Sequence, residues 1–353
     1  MVVLSTLLLV HSQRHFLPAG FLSLSMIPMG TSALVSGAMS WVIKRSWWES
    51  LDNQLYRTYM RLCLFVFENV SGVEIVVSGD VDQLRAKKER AIILSNHQSN
   101  ADWAVIFMLA ARHSPEGALE ALRVMVKHSI QYVPLFGWYI FQHGYIFVRR
   151  VSFSAAPVER QLHWLDTLSS AYWLLIFPEG TRIRPASLES SRRFREKKGL
   201  SPLERVLSPR STGLQLSLDK LQSLEAVYDV TIAYSQKSPP GMFGFVCCRP
   251  GSRVFVDIRR HAIDEVRGRA AEFVEESFRR KEALLSDYAS SGCLSSSSSP
   301  LPSIPLSETA LPALLFSSAL VAPFFLPPIR QSYLTTICLS PLLFAWLKIN
   351  KCT

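Results

Sequence analysis

The sequence predicts an α/β fold: a mixed, largely parallel sheet covered by helices, with apolar membrane segments at both ends. Three observations carry this. Short apolar runs alternate with helix-like stretches between residues 51 and 288. Strands buried on both faces read as such unbroken runs, and strands alternating with helices imply a covered α/β sheet. Residues 16–43 hold no charged side chain, and residues 309–347 hold only Arg330.

Taken in order, residues 16–43 exceed the ~20 apolar residues that a spanning helix needs. The surplus leaves room for tilt, a kink near Pro28 and Gly30, or a re-entrant pair. Lys44, Arg45, Trp47 and Trp48 follow, the residue types that a membrane interface selects. No basic region opens the chain, which favours a retained anchor over a cleaved signal. Residues 91–95 (AIILS) read as a buried strand, and 99–113 as a helix capped by Ser99 or Asn100. Residues 123–127, 145–148 and 172–177 read as strands, and 157–171 as a helix with Pro157 in its first turn. Two further strands, 226–234 and 253–258, precede a charged amphipathic helix at 263–287.

Residues 290–307 are rich in Ser and Pro and read as a flexible linker. The runs on either side of Arg330 suggest a membrane hairpin. Five prolines weaken it, and a surface-lying tail is the alternative. Four regions result: 1–50 an N-terminal membrane anchor, 51–288 a globular domain, 289–308 a linker, and 309–353 a C-terminal hydrophobic segment. Positive charge flanks the first apolar run on both sides, Arg14 before and Lys44–Arg45 after, so orientation stays open.

The formal net charge is +10, which attracts anionic membranes, phosphorylated substrates or nucleic acid. No nucleic-acid recognition motif accompanies the charge, so no nucleic-acid partner is expected. Residues 182–210 hold nine Lys or Arg against three Glu. A solvated helix face and contact with anionic headgroups or a substrate's phosphates are equal readings there. The six cysteines show no metal-ligand spacing, so no metal is expected, and thiols facing the cytosol are taken as reduced. Cys247 and Cys248 read as strand residues without a chemical role.

In covered α/β sheets, chemistry gathers in loops beyond the carboxyl ends of strands. Three loops qualify. The first carries "NHQSNAD", with His97 five residues before Asp102. Chance supplies roughly 0.2 such pairs in a chain of this composition, so spacing alone decides nothing. Placement adds weight: Asp102 falls in the first turn of a helix, where the dipole favours a carboxylate. A histidine upstream could donate one ring N–H to it and keep the other nitrogen as a base. A structural histidine beside a capping aspartate explains these residues equally well. His163 and His261 also have acidic neighbours at helical spacing, and read as solvated positions. The second loop ends in Arg149 and Arg150, and the third is "FPEGTR", residues 177–182. Arginine forks suit phosphate, and backbone N–H groups near Gly180 and Thr181 could add to them.

Together, "NHQSNAD", "GYIFVRR", "FPEGTR" and "AVYDVTIAY" resemble the four ordered blocks of the glycerolipid acyltransferase family. The segments at 126–138 and 206–214 resemble eukaryotic lysophosphatidate acyltransferases. The likeness covers about residues 90–240. The fourth block departs from the pattern: it runs into Tyr234 and Ser235 where the family usually ends in Pro. The resemblance implies acyl transfer from acyl-CoA, as co-substrate, to the free hydroxyl of 1-acylglycerol-3-phosphate, giving phosphatidate without a cofactor or an acyl-enzyme. It makes 51–288 the acyltransferase domain. By matching positions, His97 is the general base and Asp102 orients it. Arg150, Glu179, Gly180, Thr181 and Arg182 form the acceptor's phosphate site, with Lys127 as a further basic position. The implied partners are acyl-CoA, a lysophospholipid and the bilayer. The implied location is an integral membrane protein, in the endoplasmic reticulum or a plastid or mitochondrial membrane, its site facing the cytosol or stroma. Lysocardiolipin, another lysophospholipid or glycerol-3-phosphate as acceptor is the nearest alternative. A catalytically silent lipid-binding protein is the alternative of another class, and the intact His97, Asp102 and Glu179 argue against it.

Overall fold

The computed structural model describes residues 16–352, apart from 115, 151–152, 237 and 248–251; Arg14 and Cys248 lie outside the described residues. The strands are β1 (Glu74–Gly79), β2 (Ala91–Ser95), β3 (Leu122–Lys127), β4 (Ile146–Val148), β5 (Trp173–Ile176), β6 (Ala226–Tyr234), β7 (Arg253–Ala262) and β8 (Ser299–Pro300). The helices are α1 (Leu17–Met39), α2 (Arg45–Leu64), α3 (Val81–Ala86), α4 (Asp102–Ala110), α5 (Phe136–Gln142), α6 (Ala155–Asp166), α7 (Pro185–Lys197), α8 (Thr212–Lys220), α9 (Met242–Val246), α10 (Ile263–Val266), α11 (Ala270–Ser291), α12 (Leu306–Phe325) and α13 (Pro327–Cys352).

One sheet runs in the order β4-β3-β5-β2-β6-β7-β1-β8. Its pairs are parallel except β6 with β7 and β1 with β8. The expected mixed, largely parallel sheet is therefore what forms. Every residue of β2, β5 and β6 is buried. Side chains alternate faces along a strand, so each strand serves two cores. Ala91 and Ile93 join the core under α2, α4 and α5; Ile92 and Leu94 join the core under α6, α8 and α11. Burying one such side chain is worth about 1.5–3 kcal/mol.

Three elements differ from the sequence reading. The strand β1 was not expected; it extends the sheet by pairing parallel with β7. The charged helix at 263–287 breaks into α10 and α11 around Gly268, whose φ is +80°. Cys247 follows the short α9 and is not in a strand.

The helix α1 is continuous, with Pro28 inside it. It packs closely on the core: a Cβ at Gly30 would meet Leu135 Cδ2 at 2.9 Å. Both α1 and α12 are long and apolar enough to cross a membrane. The pair α12 and α13 forms a hairpin, closed by Tyr333 Oη donating to Ala319 O at 2.9 Å. The Ser/Pro-rich segment is tethered along the sheet edge. Leu301 N–H donates to Ile75 O at 2.8 Å. Ile304 N–H donates to Glu68 Oε2 at 2.8 Å, and Arg112 grips the same carboxylate with two nitrogens. An edge strand tolerates Pro300, which lacks a donor.

Candidate functional site

The strands β2, β3, β4, β5 and β6 lie parallel, so their carboxyl ends share one edge of the sheet. There β2 delivers Asn96 and His97, β5 delivers Phe177 to Glu179, β4 delivers Arg149 and Arg150, and β6 ends at Tyr234. Asn96 fixes the first loop. Its side chain donates to Ile232 O at 3.0 Å and accepts from Ile232 N–H at 2.8 Å. The turn before α4 is built differently from the expected Ser99 or Asn100 cap. The helix is preceded by Ala101 with no side-chain cap, and Ser99 Oγ accepts from Ala101 N–H at 3.0 Å.

His97 Nδ1 lies 2.8 Å from Asp102 Oδ2. The same oxygen accepts from Ser99 N–H at 2.9 Å, and Asp102 Oδ1 accepts from Tyr234 Oη at 2.7 Å. Asp102 is wholly buried, and the three donors compensate its charge. Burial, then the Asp102 charge, push the Tyr234 phenol well above its ordinary value, so it stays a donor. An acceptor on one side makes Nδ1 the protonated ring nitrogen and leaves Nε2 with a free lone pair. The ring stacks on Phe177, centroids 4.2 Å apart, and its side chain keeps 17% exposure.

Glu179 turns inward. Its Oε1 accepts from His97 N–H at 2.7 Å, and its Oε2 accepts from Leu207 N–H at 3.0 Å. Burial pushes its carboxyl up to about 8, against the two N–H groups that pull it down. Both of its oxygens clamp loop backbone, and the side chain does not line the cavity beside the turn, whereas the sequence reading places it in the phosphate site. Gly180 N–H closes a turn onto Phe177 O at 3.0 Å, so that donor is also spent. Its φ of +67° is the left-handed region that glycine adopts without strain.

A cavity of about 260 Å³ opens beside the turn. Its floor is apolar, with Met125, Val148, Ile176, Phe177 and Leu216. Arg149, Arg150, Gly180 and Arg210 stand on its wall. Burial, then the neighbouring Arg210 charge, lower the Arg150 guanidinium below its ordinary value. The structure thus joins His97 to Asp102 and brings Arg150 and Gly180 to one cavity. Phe177 links the two groups, touching the imidazole and the cavity at once. Thr181 is exposed and Arg182 half-buried, and neither is part of the cavity wall. Ile183, next to Arg182, donates its N–H to His97 O at 3.1 Å. Lys127 is exposed at the end of β3, paired in register with Val148.

Sequence reasoning did not single out Asn96, Tyr234, Leu207 or Arg210 as site residues. Asn96 and Tyr234 sat inside quoted blocks without a role. Lys281 had no signal at all. It is buried on α11, ion-paired with Asp229, and donates to Val230 O at 2.6 Å and Leu94 O at 3.3 Å, beneath β6 and the end of β2.

Residues 73–235 match the family described as "Acyltransferase". The chain is similar to 1-acyl-sn-glycerol-3-phosphate acyltransferase epsilon of Mus musculus, 32% identical over 81% of each chain. It is also similar to lysocardiolipin acyltransferase 1 of Mus musculus, 32% identical over 56% of this chain and 52% of that one. Among solved structures, the 1-acyl-sn-glycerophosphate acyltransferase PlsC of Thermotoga maritima is similar at 17% identity. It covers 78% of this chain and 97% of that chain, with a TM-score of 0.48.

Proposed function

The chain belongs to the glycerolipid acyltransferase family, and from that premise we propose that it moves a fatty acyl group from acyl-CoA to the free hydroxyl of 1-acylglycerol-3-phosphate, giving phosphatidate. One observation carries the reading: the 2.8 Å contact of His97 with Asp102, its ring stacked on Phe177 of a cavity that joins an apolar floor to arginines. In this scheme the acceptor phosphate meets Arg150, and the acyl chain follows the apolar floor. His97 Nε2 takes the hydroxyl proton as the oxygen attacks the thioester carbonyl, and Asp102 stabilises the imidazolium that forms. The tetrahedral intermediate collapses, the carbon–sulfur bond breaks, and the imidazolium returns its proton to the departing CoA thiolate. No acyl-enzyme is formed.

Association with a membrane supports the reading, since the acceptor is a lipid and α1 and α12 have spanning length. The site would face the compartment that holds acyl-CoA, the cytosol in an endoplasmic reticulum location. Purified protein in detergent, given labelled acyl-CoA and a panel of lyso-acceptors, tests the scheme. Phosphatidate from lysophosphatidate is expected, with His97→Ala losing 10²–10⁴-fold in rate. Near-normal transfer by a folded His97→Ala protein would refute the general base. Preferred turnover of lysocardiolipin would replace the acceptor.

A further inference from the structure

We propose that Arg210 is a ligand of the acceptor's phosphate, and that with Arg149 and Arg150 it makes the site select a phosphomonoester dianion. The inference rests on the functional reading above and deepens it. Arg149, Arg150 and Arg210 meet on one cavity wall, and no Asp or Glu lines that cavity among the described residues. None of the three forms an ion pair among the described residues. On α7, Arg192, Arg193 and Arg195 pair with Glu204, Glu189 and Glu275, so what sets the three apart from arginines unpaired among the described residues, such as Arg182, is that they share one cavity. Three like charges facing one space without a carboxylate repel one another until an anion enters.

Arg210 is also held in place. Its N–H donates to Pro178 O at 3.0 Å, and three residues earlier Leu207 N–H donates to Glu179. Leu203, Val206 and Leu207 are buried beneath the segment. The loop is thus fastened to the FPEGTR turn at two points. It then enters α8, whose first residues, Thr212 and Gly213, line the same cavity. The positive end of a nine-residue helix adds to the attraction for an anion. A phosphomonoester carries about −1.5 to −2 near neutral pH, against −1 for a diester, and three cations suit the former.

Phosphomonoesters come from two sources, the lysophosphatidate headgroup and the 3′-phosphate of CoA. Kinetics of the full chain in detergent distinguish them. Arg210→Gln should raise KM for lysophosphatidate by about 10- to 100-fold, the loss of one charge-assisted bond, while KM for acyl-CoA stays within two-fold. Arg210→Lys should recover part of the loss. Glycerol 3-phosphate should raise the thermal midpoint of the wild type and not that of Arg210→Gln, a readout independent of turnover. An unchanged KM for lysophosphatidate in a folded Arg210→Gln protein, with undiminished stabilisation by glycerol 3-phosphate, overturns the assignment. A rise in acyl-CoA KM alone, absent with acyl-3′-dephospho-CoA, overturns it in favour of CoA. If the wild type turns over no lysophosphatidate yet glycerol 3-phosphate still stabilises it through Arg210, the functional reading fails and the anion site stands.

Discussion

Replacing Asp102 by Asn tests what the buried carboxylate contributes beyond holding the ring. Oδ2 accepts two donors, His97 Nδ1 and Ser99 N–H, and Oδ1 accepts from Tyr234 Oη. An asparagine can place its carbonyl oxygen at the Oδ2 position only, because its NH₂ there would face the Ser99 N–H. Its NH₂ then meets Tyr234, whose hydroxyl can rotate to accept. The tautomer of His97 and the local fold therefore survive, and only the negative charge is lost. In the proposed scheme that charge acts on the imidazolium formed during proton transfer. At a charge separation of about 4 Å and an effective dielectric of about 20, the interaction is worth about 4 kcal/mol. Asp102→Asn should lower kcat by about 10³-fold and leave KM for both substrates within about two-fold. Release of CoA thiol, followed on lysophosphatidate and acyl-CoA, gives the rate; circular dichroism and the thermal midpoint check the fold. A loss below about ten-fold would show that no imidazolium is stabilised there. A loss carried by KM would make the aspartate part of substrate binding.

Two further perturbations probe the surroundings. Tyr234→Phe strips one donor from a buried carboxylate, at a cost of about 1–3 kcal/mol, and should lower the thermal midpoint and reduce kcat about ten-fold; unchanged kinetics would make Tyr234 packing alone. Burial raises the Glu179 carboxyl from its ordinary 4.5 to about 8, so the fold binds this proton more tightly than the unfolded chain. Its contribution is complete below about pH 4.5 and is lost as pH rises towards 8. The thermal midpoint should fall across that range, and Glu179→Gln, which has no proton to lose, should flatten the fall; an identical slope in the variant would place the titration elsewhere.

The sheet was legible wherever both faces of a strand are buried. "AIILS" and "AVYDVTIAY" are apolar almost throughout because two cores claim alternate residues. β1 escaped because its partner β7 lies about 180 residues away, and "EIVVSG" with its exposed ends resembles a loop until that partner is present. Ser299 and Pro300 read as linker for the same reason. Their composition describes an unpaired chain, and only the exposed edge of β1 supplies the missing acceptors.

At the site, residue type pointed to candidate side chains but not to the direction they face. His97 and Asp102 are five apart, and the short helical entry brings them to 2.8 Å, a local contact that the spacing allowed without deciding. Glu179 shows the limit. In a turn that also holds Arg182, a carboxylate reads as part of a polar pocket. In the fold, its two oxygens reach backbone N–H groups 82 and 28 residues away. It connects the base loop to the loop that carries Arg210. A shift of the FPEGTR turn is therefore transmitted both to the backbone of His97 and to the cavity wall. The proposed proton transfer and the proposed anion site would thus both depend on one buried side chain. This predicts that substitutions at Glu179 change kcat and the acceptor's KM together, whereas those at Asp102 and Arg210 separate them.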